Sequence, residues 1–274
     1  MLENTIKKED KKLENIKAPD LGLMRVINTR EALKTKLKEI KYKIGIYSAK
    51  GGVGKTTIAV NLAYTLANRG LKVGLLDADI DCPNITMFLG INERLSGELP
   101  LKPIIYKDVK VISTAMLTDE LSKPIIWRGP LIAKMVTDFL ENTEWGELDY
   151  LIIDLPPGTS DAPLTIMQLL NLSGFLIVTT PQRIAATNSI RSGLMARRLN
   201  MPIIGVLENL SERSISKNTL EVAEKLNTDV IGSVPYKKEF SELSDHSQIP
   251  ILVNSEIKEV FNNIAGRIIK KLNE

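Results

Sequence analysis

Tyr47-Ser48-Ala49-Lys50-Gly51-Gly52-Val53-Gly54-Lys55-Thr56-Thr57 is the stretch that decides how this chain folds. Ahead of it, Ile44, Ile46 and Tyr47 make a short apolar run that reads as a buried strand. Behind it, Ile58, Leu62 and Leu66 recur at helical spacing until Gly70. A strand, a glycine-rich turn and a helix start, in that order, aim backbone N–H groups and the positive end of the helix dipole at one point, where an anion is stabilised. Gly51, Gly52 and Gly54 let the backbone approach phosphate oxygens, and Val53 and Thr57 complete the cradle. Lys55 has the reach for the β- and γ-phosphates, and the Thr56 hydroxyl is placed to ligate Mg²⁺. The strict pattern begins with Gly where this chain has Ala49; the remaining positions fit. A glycine-rich turn that binds nothing is the competing reading, and the flanking strand and helix weigh against it.

Lys50 adds a second cation inside the loop. Lys50 to Thr56 reads Lys-Gly-Gly-x-Gly-Lys-Thr, and in this the chain resembles the deviant Walker A ATPases, the family of ParA, MinD and Mrp. The resemblance implies a homodimer with ATP at a face-to-face interface, Lys50 of each subunit crossing to the nucleotide of the other.

The composition suits a single α/β domain: 274 residues, 43% hydrophobic and 25% charged. No apolar stretch has the length to span a bilayer and the N-terminus lacks a signal-peptide core, so a cytoplasmic location is expected. A single cysteine, Cys82, excludes an intrachain disulfide and any metal site built from several thiols of one chain. The net charge of +3 is too small to demand a nucleic-acid partner, but it is unevenly placed. Residues 1–43 hold twelve Lys/Arg against seven Asp/Glu, +5, which leaves −2 for the rest. Residues 1–42 therefore read as a basic arm, disordered at first and then an amphipathic helix from about Thr29 to Lys41, ahead of an ATPase domain over 43–274. Such an arm can touch nucleic acid or acidic lipid, although solvated helix faces are commoner.

After the loop helix, Lys72–Leu76 reads as a strand that runs into Asp77-Ala78-Asp79-Ile80-Asp81, acids at the strand end where parallel sheets bind ligands. The resemblance assigns Asp79 to orienting the attacking water and approaching the metal, with Asp77 as the acid beside it. Leu151-Ile152-Ile153-Asp154 is an apolar run ending in one carboxylate, the arrangement that delivers an acid to the water shell of Mg²⁺. Pro156-Pro157-Gly158 then makes a stiff turn from which the Gly158 N–H can meet a γ-phosphate, so that the segment senses ATP against ADP. The phrase from Asp154 to Asp161, with Trp127-Arg128-Gly129-Pro130 and Trp145–Tyr150, is similar to the Mrp branch.

Further strands are expected at Val109–Ile112, Phe175–Thr180 and Pro202–Leu207, with an irregular excursion before the first. A helix follows Pro181-Gln182, carrying Ile184, Ile190 and Leu194 inward. Strands alternating with helices imply an α/β fold, a mostly parallel twisted sheet covered on both faces. The resemblance implies that Asn209 contacts adenine and that the loop Val234-Pro235-Tyr236 encloses it; an Asn at a strand end can also simply cap a helix. One departure stands out. Mrp proteins carry Cys-x-x-Cys just after this Asn, to bridge an iron–sulfur cluster between subunits, whereas this chain has Ser211-Glu212-Arg213-Ser214-Ile215-Ser216-Lys217. Hydroxyls are poor ligands for such clusters, so an iron–sulfur cofactor is doubtful here. Cys82 reads as a small packing residue and His246 as a surface one. Ile257, Val260, Phe261, Ile264, Ile268 and Leu272 share a helix face, which suits packing on the sheet or, as in MinD, membrane contact.

The expected function is a slow Mg²⁺-dependent ATPase that works as a homodimer. Two purposes fit it: iron–sulfur cluster assembly for a client protein, or nucleotide-switched positioning of DNA, membrane or a protein partner.

Overall fold

The computed structural model describes residues 31–96, 98–116, 129–159, 161–169, 172–212 and 214–274. The apolar runs become the strands of an eight-stranded sheet of order β3-β4-β2-β5-β1-β6-β7-β8. In chain order these are β1 (Ile40–Tyr47), β2 (Val73–Asp77), β3 (Ile104–Tyr106), β4 (Val109–Ser113), β5 (Leu148–Asp154), β6 (Gly174–Thr179), β7 (Ile203–Ser211) and β8 (Val230–Pro235). Every pairing is parallel except β3 with β4. Strands β2 and β6 are buried at every residue, as expected of a sheet covered on both faces.

The helices are α1 (residues 31–36), α2 (Lys55–Ala67), α3 (Ile85–Leu89), α4 (Gly129–Asn142), α5 (Asp161–Leu169), α6 (Arg183–Arg198), α7 (Lys217–Lys225), α8 (Glu239–Asp245), α9 (Pro250–Val253) and α10 (Ser255–Asn273). They divide the core into two layers. One joins α2 and α10 to one face through residues such as Ile58, Leu62, Phe261 and Ile264. The other joins α4, α5, α6 and α7 to the opposite face through Phe139, Ile166, Ala196 and Val222. Register then sets the rim: Asp154 lies opposite both Ile46 of β1 and Asp77 of β2, so the loops after β1, β2 and β5 open at one place.

The C-terminal helix is a packed one. Its N-cap Asn254 accepts the Ile257 N–H, and Ile257, Phe261, Ile264 and Ile268 are buried against α2 and the sheet. The apolar face that would have met a membrane is consumed in the core, and no helix among the described residues is long and apolar enough to cross one.

Several expectations need correction. The leading helix stops at residue 36, and Ile40, expected in its last turn, is already paired with Leu148 in β1, a central strand, with its side chain buried in the core. The irregular excursion hides β3, joined to β4 by Lys107 and Asp108, both at positive φ. Neither is the Asn-Gly or Asp-Gly pair that announces such a turn. Along α6 the large residues face out: Ile184 is 70% and Leu194 45% exposed, with Ile190 half-buried. Ala185, Ala186, Ser189, Ser192, Gly193 and Ala196 make the buried face, since small residues let the helix lie close on the sheet. Pro235 is the last residue of β8, not part of the loop after it. Cys82 is exposed, not packed. Trp127 and Arg128 lie outside the described residues.

Candidate nucleotide site

The loop between β1 and α2 is held in shape before any ligand arrives. Gly54 caps α2 at φ 87°, a left-handed conformation that a side chain disfavours, and Ile58 donates its N–H to the Gly54 carbonyl. Asn209, buried at the end of β7, donates from Nδ2 to the Val53 carbonyl at 2.8 Å. A Cβ on Gly54 would come within 2.2 Å of that nitrogen. Asn209 thus pins the loop from beneath, which leaves its Oδ1 and the second hydrogen of Nδ2 for an adenine contact. Ser48 closes the other side, donating to the Lys50 carbonyl at 2.7 Å.

Lys55 is 7% exposed. Burial lowers its pKa, while Asp154 and then Asp79 act in the opposite direction, so the ammonium is held between two acids. Thr56 donates its hydroxyl to Asp154 Oδ2 at 2.5 Å. The other oxygen, Asp154 Oδ1, is buried without a hydrogen-bond partner. Burial pushes the Asp154 pKa up to about 7 against the pull of Thr56 and Lys55. An unpaired buried carboxylate oxygen beside a threonine hydroxyl is a donor set that suits Mg²⁺, which keeps most of its waters and takes few protein ligands. Asp79 sits at the same rim: burial raises its pKa, Lys55 lowers it, and its Oδ1 accepts the Cys82 N–H at 3.3 Å. Asp77 is used differently. Its Oδ1 accepts the Asp79 N–H and its Oδ2 accepts both the Ile85 N–H and the Ser113 hydroxyl, so it holds the β2 loop together.

Gly158, at φ 98°, has no heavy atom within 4 Å of where a Cβ would stand. Its N–H is turned to the Ser48 carbonyl at 3.3 Å and its own carbonyl accepts the Tyr47 hydroxyl at 2.6 Å. Lys50 reaches across the rim to Gln182 Oε1 at 3.3 Å, on the turn that starts α6. Pro235 lies level with Ser211 at the far end of the crevice, with Tyr236 beyond it largely exposed. The structure therefore gathers Lys50 to Thr57, Asp79, Asp154 and Gly158 at one rim, with Asn209 immediately below. Sequence reasoning passed over Tyr47, Gln182 and the pinning role of Asn209. Tyr47 did carry a signal, because a hydroxyl in an otherwise apolar strand needs a buried partner.

The donor set does not suit an iron–sulfur cluster. In the loop where the resemblance implies thiols, Ser211 donates to the Ser214 carbonyl, and the Ser216 N–H and hydroxyl both go to Glu208 Oε2, at 3.0 and 2.5 Å. Ser216 also caps α7 by accepting the Thr219 N–H. These hydroxyls are engaged in the fold, the chain has one cysteine, and no group of three or more His, Cys, Asp or Glu among the described residues is arranged to hold a metal ion.

Comparison with known proteins gives the family and the fold. Residues 39–269 match the ParA family model described as NUBPL iron-transfer P-loop NTPase. An iron–sulfur cluster carrier protein of Methanocaldococcus jannaschii is 39% identical over 255 residues, covering 88% of each chain. The solved structure of the nucleotide-binding protein of Archaeoglobus fulgidus in complex with ADP superimposes with a TM-score of 0.70 at 34% identity, over 80% of this chain and 92% of that one. The cell-division ATPase MinD of Pyrococcus furiosus shares the fold, with a TM-score of 0.64 at 22% identity over 84% of this chain and 99% of that one.

Proposed function

The chain belongs to the ParA/NUBPL family of iron-transfer P-loop NTPases, and from that premise we propose that it is a cytoplasmic Mg²⁺-dependent ATPase that works as a homodimer in iron–sulfur cluster assembly or transfer. The cluster is cargo for a client or partner that supplies the thiols, since this chain's own residues do not suit it. The observation that carries the ATPase reading is the buried trio of Lys55, Thr56 and Asp154, with one carboxylate oxygen left without a partner.

Each residue then has a task. The loop amides and Lys55 neutralise phosphate charge. Thr56 and Asp154 would hold Mg²⁺, Asp154 through the ion's water shell, and the metal would draw charge from the phosphate oxygens. Asp79 orients the attacking water and approaches the same ion. Lys50 leaves Gln182 and completes the partner subunit's pocket. Asn209 and Pro235 border the base. Catalysis of this kind is positioning plus electrostatics, so turnover is slow until the dimer forms. The basic arm read over residues 1–42 lies outside the described residues up to residue 30; from there Leu33 and Leu37 belong to the core of the ATPase domain, and β1 begins at Ile40.

Titration calorimetry with Mg-ATP tests the reading. Wild type should release heat and Lys55→Ala should lose it, whereas Lys50→Ala should bind ATP yet fail to dimerise with it by light scattering. Wild type that gives no heat defeats the ATPase reading, and Lys50→Ala that dimerises and hydrolyses normally defeats the role across the interface.

A second reading, a nucleotide-switched positioning module, is favoured by the serine loop at 211–216. Anaerobic reconstitution with iron and sulfide in the presence of a thiol-bearing client separates the two. Cluster transfer that depends on ATP supports the first, and none moves the weight to the second.

A further inference from the structure

Gly158 is held from both sides by the end of β1, and the two holds are unequal. Its carbonyl accepts the Tyr47 hydroxyl at 2.6 Å, a short, strong contact, while its N–H reaches the Ser48 carbonyl only at 3.3 Å, long for such a bond. These two groups belong to different peptide units, 157–158 and 158–159, joined at the glycine Cα. The torsion between the N–H and the Cα is φ, which glycine alone turns freely. With the 158–159 unit and its carbonyl fixed, a rotation about φ of Gly158 matched by a counter-rotation about ψ of Pro157 turns the 157–158 peptide, and its N–H, while the rest of the turn stays in place. The space beside Gly158 is open, with no heavy atom within 4 Å of a Cβ position.

The anchor itself is rigid. Tyr47 is fully buried, and its ring packs edge-on against Phe175 with centroids 6.0 Å apart. Burial raises the phenol pKa, which keeps the proton on the oxygen and the donation to Gly158 intact.

We propose that Tyr47 is a positioning residue for nucleotide sensing: its hydroxyl is the fixed point about which Gly158 exchanges its N–H bond to Ser48 for one to the terminal phosphate of ATP. The proposal rests on the nucleotide reading above. ADP has no terminal phosphate to offer and leaves the N–H on Ser48. The discrimination therefore depends on an oxygen that touches neither nucleotide nor metal.

The test is Tyr47→Phe, which keeps the ring and removes only the hydroxyl. Affinities for Mg-ATP and Mg-ADP are measured by calorimetry on the full chain, with kcat and KM alongside. The ADP affinity should stay within about twofold. The preference for ATP should fall about five- to tenfold, the worth of one hydrogen bond, and kcat should drop more than KM rises. ATP should protect the Gly158 amide from hydrogen exchange less in the variant than in wild type. A merely structural role would weaken both nucleotides together, so an unchanged ATP-to-ADP ratio overturns the assignment. Wild type that binds neither nucleotide overturns both this and the reading it rests on. Should Tyr47→Phe fail to fold, Phe175→Leu keeps the hydroxyl but loosens the ring that carries it; it should lower the same ratio by about twofold, and no change in it counts against Tyr47.

Discussion

Two neighbouring strand ends carry the same residue and put it to opposite uses. Asp77 closes β2 and Asp154 closes β5, paired in register, both buried. The loop after β2 folds back so that two backbone N–H groups reach Asp77, the Ser113 hydroxyl at the end of the neighbouring β4 adds a third donor, and both of its oxygens are satisfied. The turn after β5 runs through Pro156-Pro157, which have no N–H to give, and Asp154 receives one bond, from Thr56. One carboxylate is thereby part of the scaffold, and the other keeps an oxygen without a partner, which suits the metal role proposed for it. Position at the rim of a parallel sheet nominates an acid; the donors that its own loop supplies decide what it does.

The sharpest way to break this comparison is Asp154→Asn. The variant should fold and bind ATP in EDTA like wild type, yet lose the gain in affinity that Mg²⁺ gives and about 10–100-fold in turnover, the usual effect of removing a group that orders a metal's surroundings. Equal Mg²⁺ dependence in the two proteins would return Asp154 to the scaffold. Asp77→Ala should show the reverse. It strands the Ile85 and Asp79 N–H groups, at about 1–3 kcal/mol of stability, read as a lower melting temperature. Nucleotide affinity should be kept in whatever fraction folds. A variant of normal stability that no longer binds Mg-ATP would mean the two acids have been assigned the wrong way round.

The sequence was most informative where chemistry requires several residue types at fixed spacing. Lys50 to Thr56 and the apolar run ending at Asp154 lie where their pattern implies, because a strand, a tight turn and a helix start leave little freedom in between. It was least informative where the outcome depends on what packs against what. The helix after Gln182 has large residues that invite an inward reading, but it is the row of Ala, Ser and Gly that meets the sheet, a choice made by the closeness of α6 to β6 and to Tyr47. Asp77 and Asp154 look alike as letters, and only the path of the following loop separates them. Asn209 was legible as a residue of interest, but its bond to Val53 spans 156 residues of chain and leaves no local trace.

The smallest expected effect concerns acidity without nucleotide. Burial, more than any other cause, raises Asp154 to about 7 and Asp77 well above its ordinary value, with Asp154 adding to the reluctance of Asp77 to ionise and Asp79 to that of Asp154. An unfolded aspartate ionises near 4, about. Between that pH and 7 the folded chain holds more protons than the unfolded one, so this contribution to stability is full below the unfolded value and is lost as pH rises through the folded one. Replacing Asp154 by Asn removes one of the two acids and relieves the other. The melting temperature of Asp154→Asn minus that of wild type, both in EDTA, should therefore grow by several degrees between pH 5.5 and 8.0. A difference that stays constant would mean that Asp154 is already ionised at the lower pH, and that Thr56 and Lys55 stabilise its charge more strongly than its burial opposes it.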